Sequence, residues 1–179
     1  MAFSVTKVYK ESFPALRFIG MRYANEDRVD GGFGKHWGEW WANERFSRLK
    51  EAVPTAPYDE STIGLMTMRG NMDDFTYWIG LFFPAGSIVP KGFDFIDLPE
   101  SNIGVGWVCG NENNGEIFGS LPHQAVCKRL EDEKIGAFRN DIAGEGSDIF
   151  CFFERYNSPR FTEKDENGNV TLDYGNYLK

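Results

Sequence analysis

Apolar and polar positions alternate along the first two dozen residues as they do in β-strands. Residues 3–9 (FSVTKVY) and 13–23 (FPALRFIGMRY) are rich in β-branched and aromatic side chains, and Pro14 marks an edge or a bulge. A polar, glycine-containing loop over 24–34 follows, and the period then becomes helical over about 35–53, ended by Val53-Pro54 and the turn-rich TAPYDES. Two strands, 62–70 and 75–83, flank the turn signal Asn71-Met72-Asp73-Asp74 and predict a hairpin. The order then recurs. A strand spans 93–110 with a break at Pro99, and a helix spans about 120–134, with Ser120 as N-cap and Pro122 in its first turn. Strands at 148–156 and 169–178 close the chain. The pattern predicts an α+β fold with the order βαββ twice, in one domain over 1–179 whose halves run about 1–84 and 91–179. The halves share the order of elements, not residues.

On a helical wheel, Ala42, Phe46, Leu49 and Val53 of the first helix form a core stripe, whereas Phe33, Trp37, Trp40 and Trp41 fall on the opposite side. Tryptophans off the core stripe have much apolar surface to hide. Packing beneath the 24–34 loop and walling a ligand cleft or a dimer contact both remain open for them. His36 reads as an exposed helix-start residue.

In DIFCFFERY the two-residue period sets Phe150, Phe152, Glu154 and Tyr156 on one face and Ile149, Cys151, Phe153 and Arg155 on the other. Both faces are apolar at the centre, as in a well-covered central strand. Glu154 therefore falls on an aromatic face, where an isolated carboxylate is costly to desolvate. It either reaches solvent at the strand end or serves as an anchoring or general-base carboxylate in an aromatic pocket.

Composition narrows the ligand. The 179 residues carry 27 acidic and 19 basic side chains, a formal charge of −8, and 16% aromatics. That balance argues against a general nucleic-acid binder and favours cationic or flat apolar small molecules. Cys109, Cys127 and Cys151 are widely spaced and read as free thiols in a reducing, cytoplasmic setting. No apolar run is long enough to span a membrane, and no leader pattern opens the chain. His36 and His123 lack metal-ligand spacing, so no metal or cofactor is expected. Neither a G-x-S-x-G elbow nor a phosphate-binding G-x-x-x-x-G-K-[ST] loop occurs.

Tyr77-Trp78-Ile79-Gly80, Val89-Pro90-Lys91-Gly92-Phe93, Ile96-Asp97-Leu98-Pro99 and Gly104-Val105-Gly106-Trp107 resemble the signature of GyrI-like small-molecule-binding domains, the effector-binding domains of AraC- and MerR-type regulators. Glu154-Arg155-Tyr156 and Leu172-Asp173-Tyr174 are similar to the strands that follow in that family. The resemblance implies two βαββ units in one antiparallel sheet, two main helices on one face and a ligand cleft between the halves. It further implies that Glu154 faces the cleft and engages cationic, lipophilic ligands. The segment 111–147 departs from the family pattern. With strands expected from residue 3, no DNA-binding segment is expected ahead of the domain.

The leading expectation is thus a stand-alone binder of lipophilic cations, with Glu154 as anchor and Tyr156, Trp107, Trp40 or Trp41, Phe152 and Tyr23 as walls. Direct nucleic-acid or membrane binding is not expected. A separate regulator, or a second copy of the chain, is the macromolecular partner to look for. Two alternatives stand beside it. One is a hydrolase of reactive, cyclopropane-type electrophiles, as some stand-alone relatives are, with Glu154 as general base and Tyr156 beside it. The other is a module that sequesters a protein through its acidic surface.

Overall fold

The computed structural model describes residues 3–70, 72–144 and 147–179. Its strands are β1 (Phe3–Phe13), β2 (Leu16–Ala24), β3 (Thr62–Arg69), β4 (Thr76–Pro84), β5 (Asp94–Leu98), β6 (Ser101–Gly110), β7 (Ile149–Tyr156) and β8 (Val170–Leu178). Helices α1 (Gly34–Ala42) and α2 (Arg45–Ala52) follow β2, and α3 (Ser120–Asp132) follows β6. The expected α+β class and the βαββ repeat are both present. In the β3–β4 hairpin, Met72–Asp74 forms a 3-10 turn, while Asn71 lies outside the described residues.

All strands pair antiparallel in a single open sheet ordered β1-β6-β8-β7-β3-β4-β2-β5. The two units meet at its centre, where β3 pairs with β7. Each unit also lends its leading strand to the other, for β1 lies against β6 and β5 against β2. Only residues 14–15 join β1 to β2, and only residues 99–100 join β5 to β6. Connectors this short span about 10 Å, so opposite edges of the sheet are drawn together and the sheet curls. Its inner face packs on itself: Phe13 of β1 contacts Phe82 of β4 at 5.9 Å between ring centroids and stacks on Phe153 of β7 at 5.7 Å.

The helices cover the other face. Trp40, Phe46, Leu49 and Val53 pack with Ile19, Tyr77, Ile79 and Leu81 over one half of the sheet, and Val126 and Leu130 with Val108, Leu172 and Tyr174 over the other. A β-carbon at Gly106 would collide with the Val126 side chain, so this glycine is what lets α3 lie so close to β6.

Three local expectations are corrected. The first helix is broken: the Asn43 side chain donates to the Glu39 carbonyl at 2.8 Å, and Glu44 adopts a left-handed backbone with φ 54°. The break resets the helical phase, so Trp40 joins Phe46 at 4.6 Å in the core, although a single continuous wheel sets them apart. His36 is half-buried rather than exposed, stacked on Tyr23 at 4.2 Å with Nε2 against the Asp27 carbonyl at 2.7 Å. At α3 the N-cap is Gly119, with φ 88°, and Ser120 is already helical.

Candidate functional site

A broad cleft of about 1860 Å³ opens on the helix face, where the two units meet. Glu154 of β7 lies at its floor, 4% exposed, with Gly64 of β3 and Tyr174 of β8 as its cross-strand partners. A β-carbon at Gly64 would collide with the Tyr77 hydroxyl and stand 3.1 Å from Glu154 Oε2. The glycine therefore makes room for Tyr77, reaching across from β4, to meet the carboxyl.

Three phenols converge on this one carboxyl. Tyr77 donates to Oε2 at 2.9 Å, and Tyr156 donates to the same oxygen at 3.0 Å. The Tyr174 hydroxyl stands 3.2 Å from Oε1 and 2.9 Å from the Ile117 carbonyl. Trp37 Nε1 donates to the Tyr77 oxygen at 3.0 Å, which leaves the Tyr77 proton free for the carboxyl. Among the described residues no lysine or arginine pairs with Glu154, so its surroundings are neutral donors and rings.

Burial raises the Glu154 carboxyl above the ordinary glutamate range, against the opposing pull of Tyr77, Tyr156, Tyr174 and the Gly119 N–H. Burial, and next the nearby Glu154 charge, push the three phenols well above their usual value, so they remain donors. His123 of α3 stacks on Phe152 at 3.9 Å. Burial lowers its imidazole, an effect Asn176 Oδ1 at 2.7 Å opposes. The ring is therefore a neutral part of the wall.

Trp37 packs on Tyr156 at 4.6 Å, and Tyr156 meets Phe161 edge-on at 4.7 Å, with Phe118 beside both. Phe33 stacks on Tyr77 at 4.4 Å, and Arg28 lies over Phe33 at 4.6 Å. The result is an apolar trough with one carboxyl at its base. No group of three or more His, Cys, Asp or Glu side chains among the described residues could hold a metal ion.

Of the residues expected to form the site, Glu154, Tyr156, Phe152 and Trp41 line the cleft, Trp41 at its rim with 59% of its surface exposed. Trp40 and Tyr23 do not. They bury each other in the core behind α1, Trp40 Nε1 donating to the Tyr23 hydroxyl at 3.0 Å. Trp107 lies on the opposite face of the sheet, beside Tyr9 and beneath Lys7 and Arg160. The reason is parity: odd positions of β6, such as Ile103 and Val105, face inward. Trp37, one of the tryptophans for which a cleft wall was left open, does line it, whereas Tyr77, Tyr174, Phe118 and His123 are additions that the sequence reading does not single out as site residues. Tyr77 and Tyr174 do stand in the resemblance motifs, but only the strand register brings them to Glu154.

No known family profile matches this chain, and no curated protein does. Solved structures do. A protein from Staphylococcus aureus MU50 described as a bacterial transcription regulation protein superposes with a TM-score of 0.61 at 15% identity, over 97% of this chain and 98% of its own. SAV2435, solved bound to tetraphenylphosphonium, gives 0.58 at 16% identity over 97% and 94%. The C-terminal domain of EcmrR gives 0.55 at 8% identity over 100% and 99%. The chain therefore shares its fold with these proteins. Two βαββ units in one antiparallel sheet are the architecture that the resemblance to GyrI-like domains implied.

Proposed function

We propose that this protein is a small-molecule-binding effector domain whose cleft takes lipophilic cations, with Glu154 as the anionic anchor. The observation that carries the reading is a carboxyl at the floor of an aromatic cleft, held by neutral donors with no cation paired to it among the described residues. A delocalised cation supplies the missing charge, and rings such as Trp37 and Tyr156 add cation–π attraction of about 0.5–2 kcal/mol each. The three free thiols suit a reducing, cytoplasmic setting. A separate regulator or a second copy of the chain would carry the signal onward.

Trp37 and Trp41 both line the cleft, so intrinsic fluorescence reports occupancy. Titration with tetraphenylphosphonium should quench wild-type emission saturably. In Glu154→Gln the affinity should fall by about tenfold or more, the loss of one charge-assisted contact. Equal affinity in the two proteins would remove the anchor role.

A further inference from the structure

The hydrogens around Glu154 can be counted. Tyr77 receives the Trp37 N–H and gives its own proton to Oε2, and Tyr156 gives its proton to the same oxygen. Tyr174 has one proton and two oxygens within reach, and the nearer is the carbonyl of the fully buried Ile117, at 2.9 Å against 3.2 Å for Oε1. A carbonyl oxygen can only accept. If Tyr174 satisfies it, the contact between Tyr174 and Oε1 is a hydrogen bond only when Oε1 carries a hydrogen. A neutral carboxylic acid therefore satisfies every oxygen of the cluster, whereas a carboxylate forces Tyr174 to choose between Oε1 and a buried carbonyl.

The Gly119 N–H reaches the same carboxyl from the start of α3 and, like the phenols, pulls toward the carboxylate, but it brings no charge. The remaining neighbours supply no counterion. His123 on α3 is neutral and faces Phe152. Arg28, ahead of α1, lies over Phe33, and Lys164 is paired with Glu112 at 3.1 Å. No cation offsets a charge on Glu154 from β3, β4, β7, β8, α1 or α3 among the described residues.

The geometry points to a proton-exchange site: Glu154 is a carboxylic acid in the empty cleft, and a bound cation takes the place of its proton. The inference rests on the proposed function and adds its regulation. The exchange balances as acid plus free cation giving a carboxylate–cation pair plus one proton released to solvent. Once the proton has gone, Tyr174 can turn its hydrogen to Oε1. Two ligand classes follow. Permanent cations bind more tightly as pH rises, and uncharged lipophiles with a hydrogen-bond acceptor bind best while the acid is present.

Two measurements test this on the whole protein. In the first, the side-chain carboxyl carbon of Glu154, assigned by its loss in Glu154→Gln, is followed by carbon NMR without ligand. Its midpoint should lie clearly above the ordinary value of about 4.3, and a midpoint at that value overturns the inference. In the second, tetraphenylphosphonium, which has no proton to lose, is titrated calorimetrically in buffers of different ionisation enthalpy. Below the Glu154 midpoint, binding should release close to one proton and affinity should rise about tenfold per pH unit. Above it both effects should vanish, and in Glu154→Gln they should be absent throughout. Binding that needs Glu154 but releases no proton overturns the exchange and leaves the proposed function standing. Failure of wild type to bind the cation overturns both.

Discussion

Glu154 and Asp173 are two buried carboxyls on neighbouring strands with opposite fates. Asp173 of β8 has no exposed surface and lies directly across from Arg155, the residue that follows Glu154. Because neighbours on a strand point to opposite faces, Arg155 turns away from the Glu154 carboxyl and reaches Asp173 Oδ2 at 2.9 Å, as well as Glu11 at 3.0 Å. Arg160 closes on the same aspartate at 2.7 Å. On that face the charge is balanced inside the protein. On the cleft face, one residue earlier, the carboxyl meets only neutral donors. A paired charge belongs to stability, whereas a carboxyl without a counterion is what the proposed ligand requires.

The largest expected effect tests the first half of this contrast. Asp173→Ala leaves Arg160 without its partner and the buried Arg155 with Glu11 as its near carboxylate, and should cost up to about 3–5 kcal/mol in urea-induced unfolding. Glu154→Gln should cost far less at neutral pH. If the two were equally damaging, the contrast would collapse.

Next comes pH. Glu154 titrates higher when folded than when unfolded, because its acid form is the one burial favours. Its contribution to stability is therefore full below the ordinary glutamate value and is lost as pH rises through the raised folded value. Stability of the ligand-free wild type relative to Glu154→Gln should fall across that window, read from unfolding midpoints at a series of pH values. A difference that grew with pH in favour of the wild type would reverse the sign and refute the assignment.

A smaller change is expected for Tyr77→Phe, which leaves the Trp37 N–H without its acceptor and the carboxyl without one donor. About 1–3 kcal/mol of stability should be lost, with a shift in tryptophan emission as Trp37 loses its partner. The smallest effect belongs to Trp107→Phe. That ring lies on the face away from the cleft, and cation affinity should stay within about twofold of wild type, below the 1.4 kcal/mol that makes a tenfold change.

Much of this contrast could be read in the chain. The alternation of DIFCFFERY alone separates Glu154 and Tyr156 from Arg155, and both βαββ orders follow from local periods. What stayed hidden depends on pairing. That Tyr174 faces Glu154 across one strand boundary, and that Gly64 clears the path for Tyr77, are facts of register between segments far apart in sequence. Of the tryptophans of α1, Trp40 alone departs from the wheel, for a local reason. A wheel assumes an unbroken helix, and neither Asn43 nor Glu44 is a proline or glycine that would announce a break. Trp107 failed as a wall because an aromatic residue within a motif does not declare its face.

The exchange of leading strands bears on how the chain is made. β1 leaves the ribosome ahead of the other strands of this sheet, yet among the described residues it pairs only with β6, which ends at Gly110. Until then β1 has nothing to pair with, so the first unit cannot close during synthesis and the two units complete each other late. Such distant pairings slow folding and leave strand edges open to strangers. A nascent chain halted before residue 101 should therefore be the form most prone to aggregate.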